Sequence, residues 1–335
     1  MKRKQLLCIL CYVAFAVVYL VDLANAQTTA PSTLLNVVYS NVSVSSAPLW
    51  VTQEAGIFRK HGLDARLSFA RGTLAAQAML AGSFPVGYVS SSNIVTSNLA
   101  GARLELVAGL LNKMVYALVT ARDITTAAQL RGKRIGISSF GASSETATRY
   151  ATKEVGLDPD RDVIMLQVGN SAERFAALAS GRIEGMLAEP ADVIRAKKEG
   201  FNILLDLTTR GIDYQSGAVA MTENFIRDHR ETALNFLRAL IEGVHYFKTR
   251  REESVRVAAK YLKSVNLEAI SYSWQVHAER LIPAKPYPTS KGMQLVIREV
   301  AQRNPAASAI TPEQLFDTSL IEEIDRSGFI DRLYR

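Results

Sequence analysis

The sequence predicts an α/β protein of two lobes, on three observations. Short apolar runs alternate with helix-patterned segments from residue 34 onward, which argues for parallel sheets wrapped by helices. The alternation restarts after Arg122 as a second unit would. A faint echo links the halves: Ala78-Met79-Leu80-Ala81-Gly82 precedes a strand at Val86, and Ala177-Leu178-Ala179-Ser180-Gly181 precedes one at Gly185. In each case a small-residue helix closes on a glycine, the usual C-terminal cap. The alternative is that any two strand–helix–strand units share this grammar.

The chain begins with Lys2, Arg3 and Lys4, then an apolar run over 6–21, then Ala24-Asn25-Ala26. A basic head, a greasy core and an A-x-A site are the parts of a cleavable secretory signal. The alternative is an uncleaved anchor, for which the run is short, since a span wants about 20 residues. No small residue stands just before Cys8 or Cys11, so a lipoprotein signal is not expected. Cleavage after Ala26 removes both cysteines and leaves 27–335 with no disulfide, thiolate nucleophile or Cys-based metal site. That length suits two lobes held by their cores alone. Loss of Lys2, Arg3, Lys4 and Asp22 lowers the formal charge from +7 to +5. The remaining basic residues are mixed with acidic ones, as in Arg250-Arg251-Glu252-Glu253, so no nucleic-acid stripe is expected. A mild positive charge still helps attract an anionic solute.

Residues 27–33 read as a loose leader. A strand at 34–39 precedes a helix at 48–61 that ends on Gly62, followed by a strand at 63–69 and a helix at 73–81. A buried strand at 86–89, a helix at 92–100 and strands at 104–110 and 116–120 complete the first unit. The second runs through strands at 134–138, 163–167, 185–187 and 201–207, separated by helices at 143–155, 172–180 and 191–199. After Thr222 the pattern turns helical, at 222–228, 231–248, 252–263, 267–281 and 290–302.

Known catalytic signatures are missing. Gly136-Ile137-Ser138-Ser139-Phe140-Gly141 lacks the glycine that a G-x-S-x-G elbow needs two residues after its serine. There is no S-x-x-K, Walker loop, G-x-G-x-x-G or H-E-x-x-H, and the four histidines lie far apart. A binding protein without cofactor or metal is expected rather than an enzyme.

Polar turns at strand ends are the binding candidates, because open α/β sheets place ligands there. The strongest is Ser138-Ser139-Phe140-Gly141-Ala142-Ser143-Ser144, between a strand and a helix. Such a turn offers free backbone N–H groups, a helix dipole and hydroxyls to a carboxylate, sulfonate or phosphate. The alternative is that Ser143 only caps its helix. A second candidate is Ser90-Ser91-Ser92-Asn93, and a third runs from Ser45 and Ser46 to Trp50, whose indole either stacks on a ligand or fills the core. Arg71-Gly72 either brings charge to the cleft or is solvated, Asn112 sits near the expected crossover, and Glu189 either accepts from a ligand donor or supports a helix start.

Three stretches resemble the periplasmic solute-binding proteins of nitrate/sulfonate/taurine-type ABC transporters, including relatives that bind thiamine precursors. They are Pro48-Leu49-Trp50 with Glu54, Gly56, Ile57, Phe58, Gly62 and Leu63; Leu130-Arg131-Gly132-Lys133-Arg134-Ile135-Gly136; and Ala179 to Gly185 with Glu189-Pro190. Ser83-Phe84-Pro85 departs from the acidic residue usual after the glycine, and Ile57 stands where an aromatic residue is common. The cysteine and histidine clusters of relatives that make a thiamine pyrimidine are missing.

The resemblance implies a type II periplasmic-binding-protein fold with a ligand cleft between lobes and hinge crossings near 120–122 and 211–217. Lobe one would be 34–120 plus 218–335, and lobe two 121–217. Function would be capture of a small anionic solute (sulfonate, nitrate or carboxylate) by lobe closure in the periplasm, by a monomer that docks on an ABC permease and its ATPase in the inner membrane. The alternatives are a neutral heterocycle such as a pyrimidine thiamine precursor, or a sensing module docking on a receptor. Candidate contacts are Ser46, Trp50, Gly72, Ser91, Ser92 and Asn112 from lobe one, and Ser138, Ser139, Phe140, Gly141, Ala142, Ser143 and Glu189 from lobe two.

Overall fold

A computed structural model of the protein describes residues 32–335, so the expected signal sequence and most of the expected leader lie outside the described residues. Two five-stranded sheets carry the fold. The first contains β1 (Thr33–Tyr39), β2 (Leu63–Phe69), β3 (Val86–Ser90) and β4 (Leu104–Lys113). The second contains β5 (Ala117–Thr120), β6 (Lys133–Ile137), β7 (Val163–Gln167), β8 (Gly185–Ala188) and β9 (Asn202–Asp206). The chain then returns to the first sheet as β10 (Asp213–Thr222), giving the orders β2-β1-β3-β10-β4 and β7-β6-β8-β5-β9.

The two orders are built alike. Three parallel strands in each sheet are followed by an antiparallel strand next to the third, β10 beside β3 and β5 beside β8. The helices Thr73–Leu80 and Ser171–Ala179, which carry the sequence echo, precede the matching strands β3 and β8. The sheets are therefore mixed rather than wholly parallel.

Both expected crossings shift. The strand at 116–120, expected in lobe one, pairs antiparallel with β8 and β9 in the second sheet, so the first crossing falls at 114–116. The second falls at 207–212, because Asp213 already pairs with Lys113. Three apolar residues and a threonine (Ala117 to Thr120, all buried) look the same whichever sheet they join, so sequence patterning did not separate the cases. The expected helix at 48–61 is two helices, Ala47–Glu54 and Ile57–Lys60, because Gly56 turns left-handed at φ +70°.

One apolar core fills the first lobe around Trp50, Phe58, Phe236 and Phe247 and runs on to the second sheet through Leu118, Ile135 and Leu187, and a smaller one backs that sheet around Phe175, Met186 and Phe201. The helical tail is not confined to lobe one. Helix Leu267–Val276 packs on Pro190–Lys198 of the second lobe, with Lys198 paired to Glu268. Helix Ser290–Ala301 packs on β10 and on Ser143–Glu154, where Lys153 reaches Glu299 at 3.4 Å and Arg303 pairs with Glu145. Among the described residues no helix is long and apolar enough to cross a membrane.

Candidate functional site

All six parallel strands end at one place. The segments after β1 (Ser40, Asn41), β2 (Arg71, Gly72) and β3 (Ser90, Asn93) face those after β6 (Ser138), β7 (Asn170) and β8 (Glu189) around a cavity of about 70 Å³. This is where open α/β sheets place ligands, here doubled. The lobes touch around it. Asn41 Nδ2 donates to Glu189 Oε1 at 3.2 Å, Ser92 Oγ to the Gly141 carbonyl at 3.0 Å, and Ser143 Oγ to the Ser216 carbonyl at 3.1 Å. Arg71 reaches Glu173 at 3.1 Å, both about half exposed.

The charged centre of the cavity is Arg174. Asn170 caps the helix Ser171–Ala179 through its side chain, and Glu173 closes the box by accepting the Asn170 amide at 2.6 Å. The next residue, Arg174, is thereby turned into the cavity wall while only 3% exposed. Its Nη1 donates to the Gly169 carbonyl at 2.8 Å and its Nη2 to the Leu187 carbonyl at 3.3 Å, and its Nε has no partner. Neutral carbonyls do not compensate a buried cation as an anion does.

Opposite charge is present but separate. Glu189 is 5% exposed, and its Oε2 has no partner. Burial, with Glu189 nearby, pushes the hydroxyls of Tyr88 and Tyr116 well above the ordinary tyrosine range, so both stay protonated. Ser216 Oγ, also on the wall, is buried and unpartnered.

Of the residues expected from sequence, Ser45, Arg71, Gly72, Ser90, Asn93, Ser138, Ala142, Ser143, Ser144 and Glu189 line the cavity. The others stand behind or outside it. Ser46 Oγ donates to the Asn41 carbonyl at 2.7 Å. Trp50 is fully buried, stacked on Tyr261 at 4.8 Å with Tyr39 edge-on, so it fills the core rather than meeting solute. Ser91 is buried at the first turn of its helix, with Ser90 as the cap, and Ser92 serves the inter-lobe bond. Asn112 donates to the Tyr287 carbonyl at 2.8 Å. Ser139 is buried against Gly72, and Phe140 is exposed under the Arg303 guanidinium.

The Ser138–Ser144 turn differs most from expectation. Its N–H groups were expected to be free for an anion, and four are already used. Ser138 donates to Ser144 Oγ at 2.9 Å, Phe140 to Gln167 Oε1 at 3.4 Å, Gly141 to Glu145 Oε2 at 2.6 Å and Ala142 to the Ser139 carbonyl at 3.3 Å. Glu145, in the first turn of the helix, itself sits where an external carboxylate would go.

Arg174, Asn41 and Ser216 escaped the sequence reading. The one signal for Arg174 is the N-x-x-E box beginning at Asn170, which places the following arginine at the sheet end.

A model of the family described as NMT1/THI5 like matches residues 43–254. The chain belongs to the NMT1/THI5-like family. A protein of Brucella abortus (strain 2308), named only as a candidate binding protein, is 28% identical over 226 residues, 65% of this chain and 69% of that protein. Among the solved structures that share the fold are two periplasmic binding proteins. The periplasmic aliphatic sulphonate-binding protein of Escherichia coli matches with a TM-score of 0.68 at 16% identity, covering 85% of this chain and 92% of that one. The periplasmic nitrate-binding protein of Synechocystis PCC 6803 matches with a TM-score of 0.68 at 14% identity, covering 90% and 88%. The α/β fold of two lobes expected from the sequence is thus the fold of this family's structural neighbours.

Proposed function

We propose that the protein is the solute-binding component of an ABC importer and holds a small anionic solute in the cavity between its lobes. The observation that carries this reading is Arg174, a buried guanidinium on the cavity wall with an unused Nε–H and only carbonyl partners. An anion in the cavity supplies a charged partner for the free Nε–H, and contacts from both lobes favour the closed arrangement. A cavity of about 70 Å³ suits a small solute. The sulphonate- and nitrate-binding neighbours, the family and the export signal all agree with it. On this reading the protein works in the periplasm, converts nothing, and delivers its solute to a permease driven by an ATPase.

The test is a melting-temperature panel of sulfonates, carboxylates, nitrate, bicarbonate and pyrimidines against the purified protein. A bound anion at a hundred times its dissociation constant adds about 2.7 kcal/mol of stability. Arg174→Gln is expected to weaken that anion about tenfold to a hundredfold. Shifts from pyrimidines with none from anions overturn the reading.

A further inference from the structure

The ladder between β4 and β10 breaks beside the cavity. Asp213 pairs with Lys113 and Gly217 with Leu111, so Tyr214, Gln215 and Ser216 together face Asn112 alone. Bulges of this kind re-aim side chains next to functional sites. Here the bulge carries Ser216 onto the cavity wall, where its Oγ is unpartnered and its carbonyl takes the cross-lobe bond from Ser143.

A broken ladder leaves buried backbone groups that need other partners. Gln215, fully buried, supplies them. Its Nε2 donates to the carbonyls of Leu111 at 3.4 Å and Gly217 at 3.3 Å, and its Oε1 accepts the Thr289 N–H at 3.1 Å. Two glycines make the slot it occupies. A Cβ on Gly109 would lie 2.9 Å from the Gln215 side-chain amide, and one on Gly292 would lie 2.9 Å from the Gln215 backbone nitrogen.

The tail is pinned to the crossing on either side of Thr289. The Gly109 N–H donates to the Pro286 carbonyl at 2.8 Å, and Lys291 pairs with Asp213 at 2.9 Å. Thr289 opens the helix Ser290–Ala301, whose far end reaches lobe two through Glu299 and Arg303. The tail from Pro286 to Arg303 is therefore a further tie between the lobes, beside the two chain crossings. It lies outside residues 43–254, which the family model matches.

We propose that Gln215 is a positioning residue of the solute site: by joining the β10 bulge to this tail, it holds Ser216 at the wall and sets the resting angle between the lobes. The statement about Ser216 rests on the reading of the cavity as the solute site; the lobe angle does not.

The test is an electron-spin distance measurement between the lobes with no solute added. The chain's only cysteines are removed as Cys8→Ser and Cys11→Ser, and nitroxides are placed on Gln77→Cys in lobe one and Arg161→Cys in lobe two, both exposed. Gln215→Leu keeps the bulk and loses all three hydrogen bonds. It is expected to broaden the distance distribution and to raise the population at its far end about fivefold, the shift that one lost hydrogen bond gives. Gly292→Ala favours the helix itself but presses on the Gln215 nitrogen, and is expected to broaden the distribution likewise. A purely structural role lowers the urea midpoint of Gln215→Leu and leaves the distances unchanged, which overturns the proposal. Gly292→Ala decides alone if Gln215→Leu does not fold. A broadened distribution in a protein that binds no anion overturns the solute reading and leaves the lobe angle assigned to Gln215.

Discussion

Gly72 and Ser139 meet across the cleft with no room for another atom: a Cβ on Gly72 would lie 2.2 Å from Ser139 Oγ and 3.2 Å from Ser139 Cβ. Gly72 also holds φ +55° and ψ −127°, a conformation that costs an L-residue of order 1–3 kcal/mol. Gly72→Ala is therefore expected to weaken solute binding about tenfold, since the clash exists only when the lobes meet. The double variant Gly72→Ala/Ser139→Gly recovers the steric part. Calorimetry on the two single variants and the double variant measures the coupling; strict additivity shows that the clash is not the cause.

The Arg71–Glu173 pair also crosses the cleft, but both side chains are about half exposed. Such pairs contribute roughly 0–1 kcal/mol. Arg71→Ala is expected to change affinity less than about fivefold, with the difference vanishing at high salt. A larger, salt-independent loss indicates that Arg71 touches the solute itself.

Trp50 separates stability from binding. Truncating a buried, stacked indole costs about 3–5 kcal/mol through lost contacts and the cavity left behind. Trp50→Ala is expected to lower the urea midpoint by a corresponding amount while the folded fraction keeps its solute affinity. Lost affinity with unchanged stability restores the ligand-stacking role considered from the sequence.

His277 gives the fold an acid limit. It is fully buried, its Nδ1 lies 2.7 Å from the Ser273 carbonyl, its Nε2 has no partner, and burial holds it down at about 4. The unfolded chain binds this proton near pH 6.5, so between about 6.5 and 4 unfolding takes up a proton and stability falls as pH falls. The loss amounts to roughly 3 kcal/mol at the lower end. Denaturation at several pH values is expected to show that slope in the wild type and a shallower one in His277→Gln. Parallel slopes assign the acid sensitivity to other groups.

Strand and helix order were legible because each strand is a compact apolar run punctuated by glycine or a polar cap, as at Gly62, Gly82 and Gly181. The allocation of strands to sheets was not, because β5 and β10 are buried runs whose partners lie up to about 135 residues away. Glu189 and Gly72 were visible as strand-end residues beside a proline and an arginine. Arg174 was hidden inside a helix of otherwise ordinary composition, where only burial and an unpartnered Nε distinguish it. The serine turn misled for a related reason. Its composition advertises free amides, and whether Glu145 folds back to take one depends on packing against Arg149 and Arg303.

The strand orders also fix a sequence of completion during synthesis. Every strand of the second sheet lies between Ala117 and Asp206, but the first sheet lacks its fourth member until β10, Asp213–Thr222, has been made. The amino-terminal half therefore waits, with β3 and β4 unjoined, for a segment translated after the other lobe is whole. A nascent chain stopped near residue 210 carries one finished sheet and one split one. The half that comes first off the ribosome is the last to close.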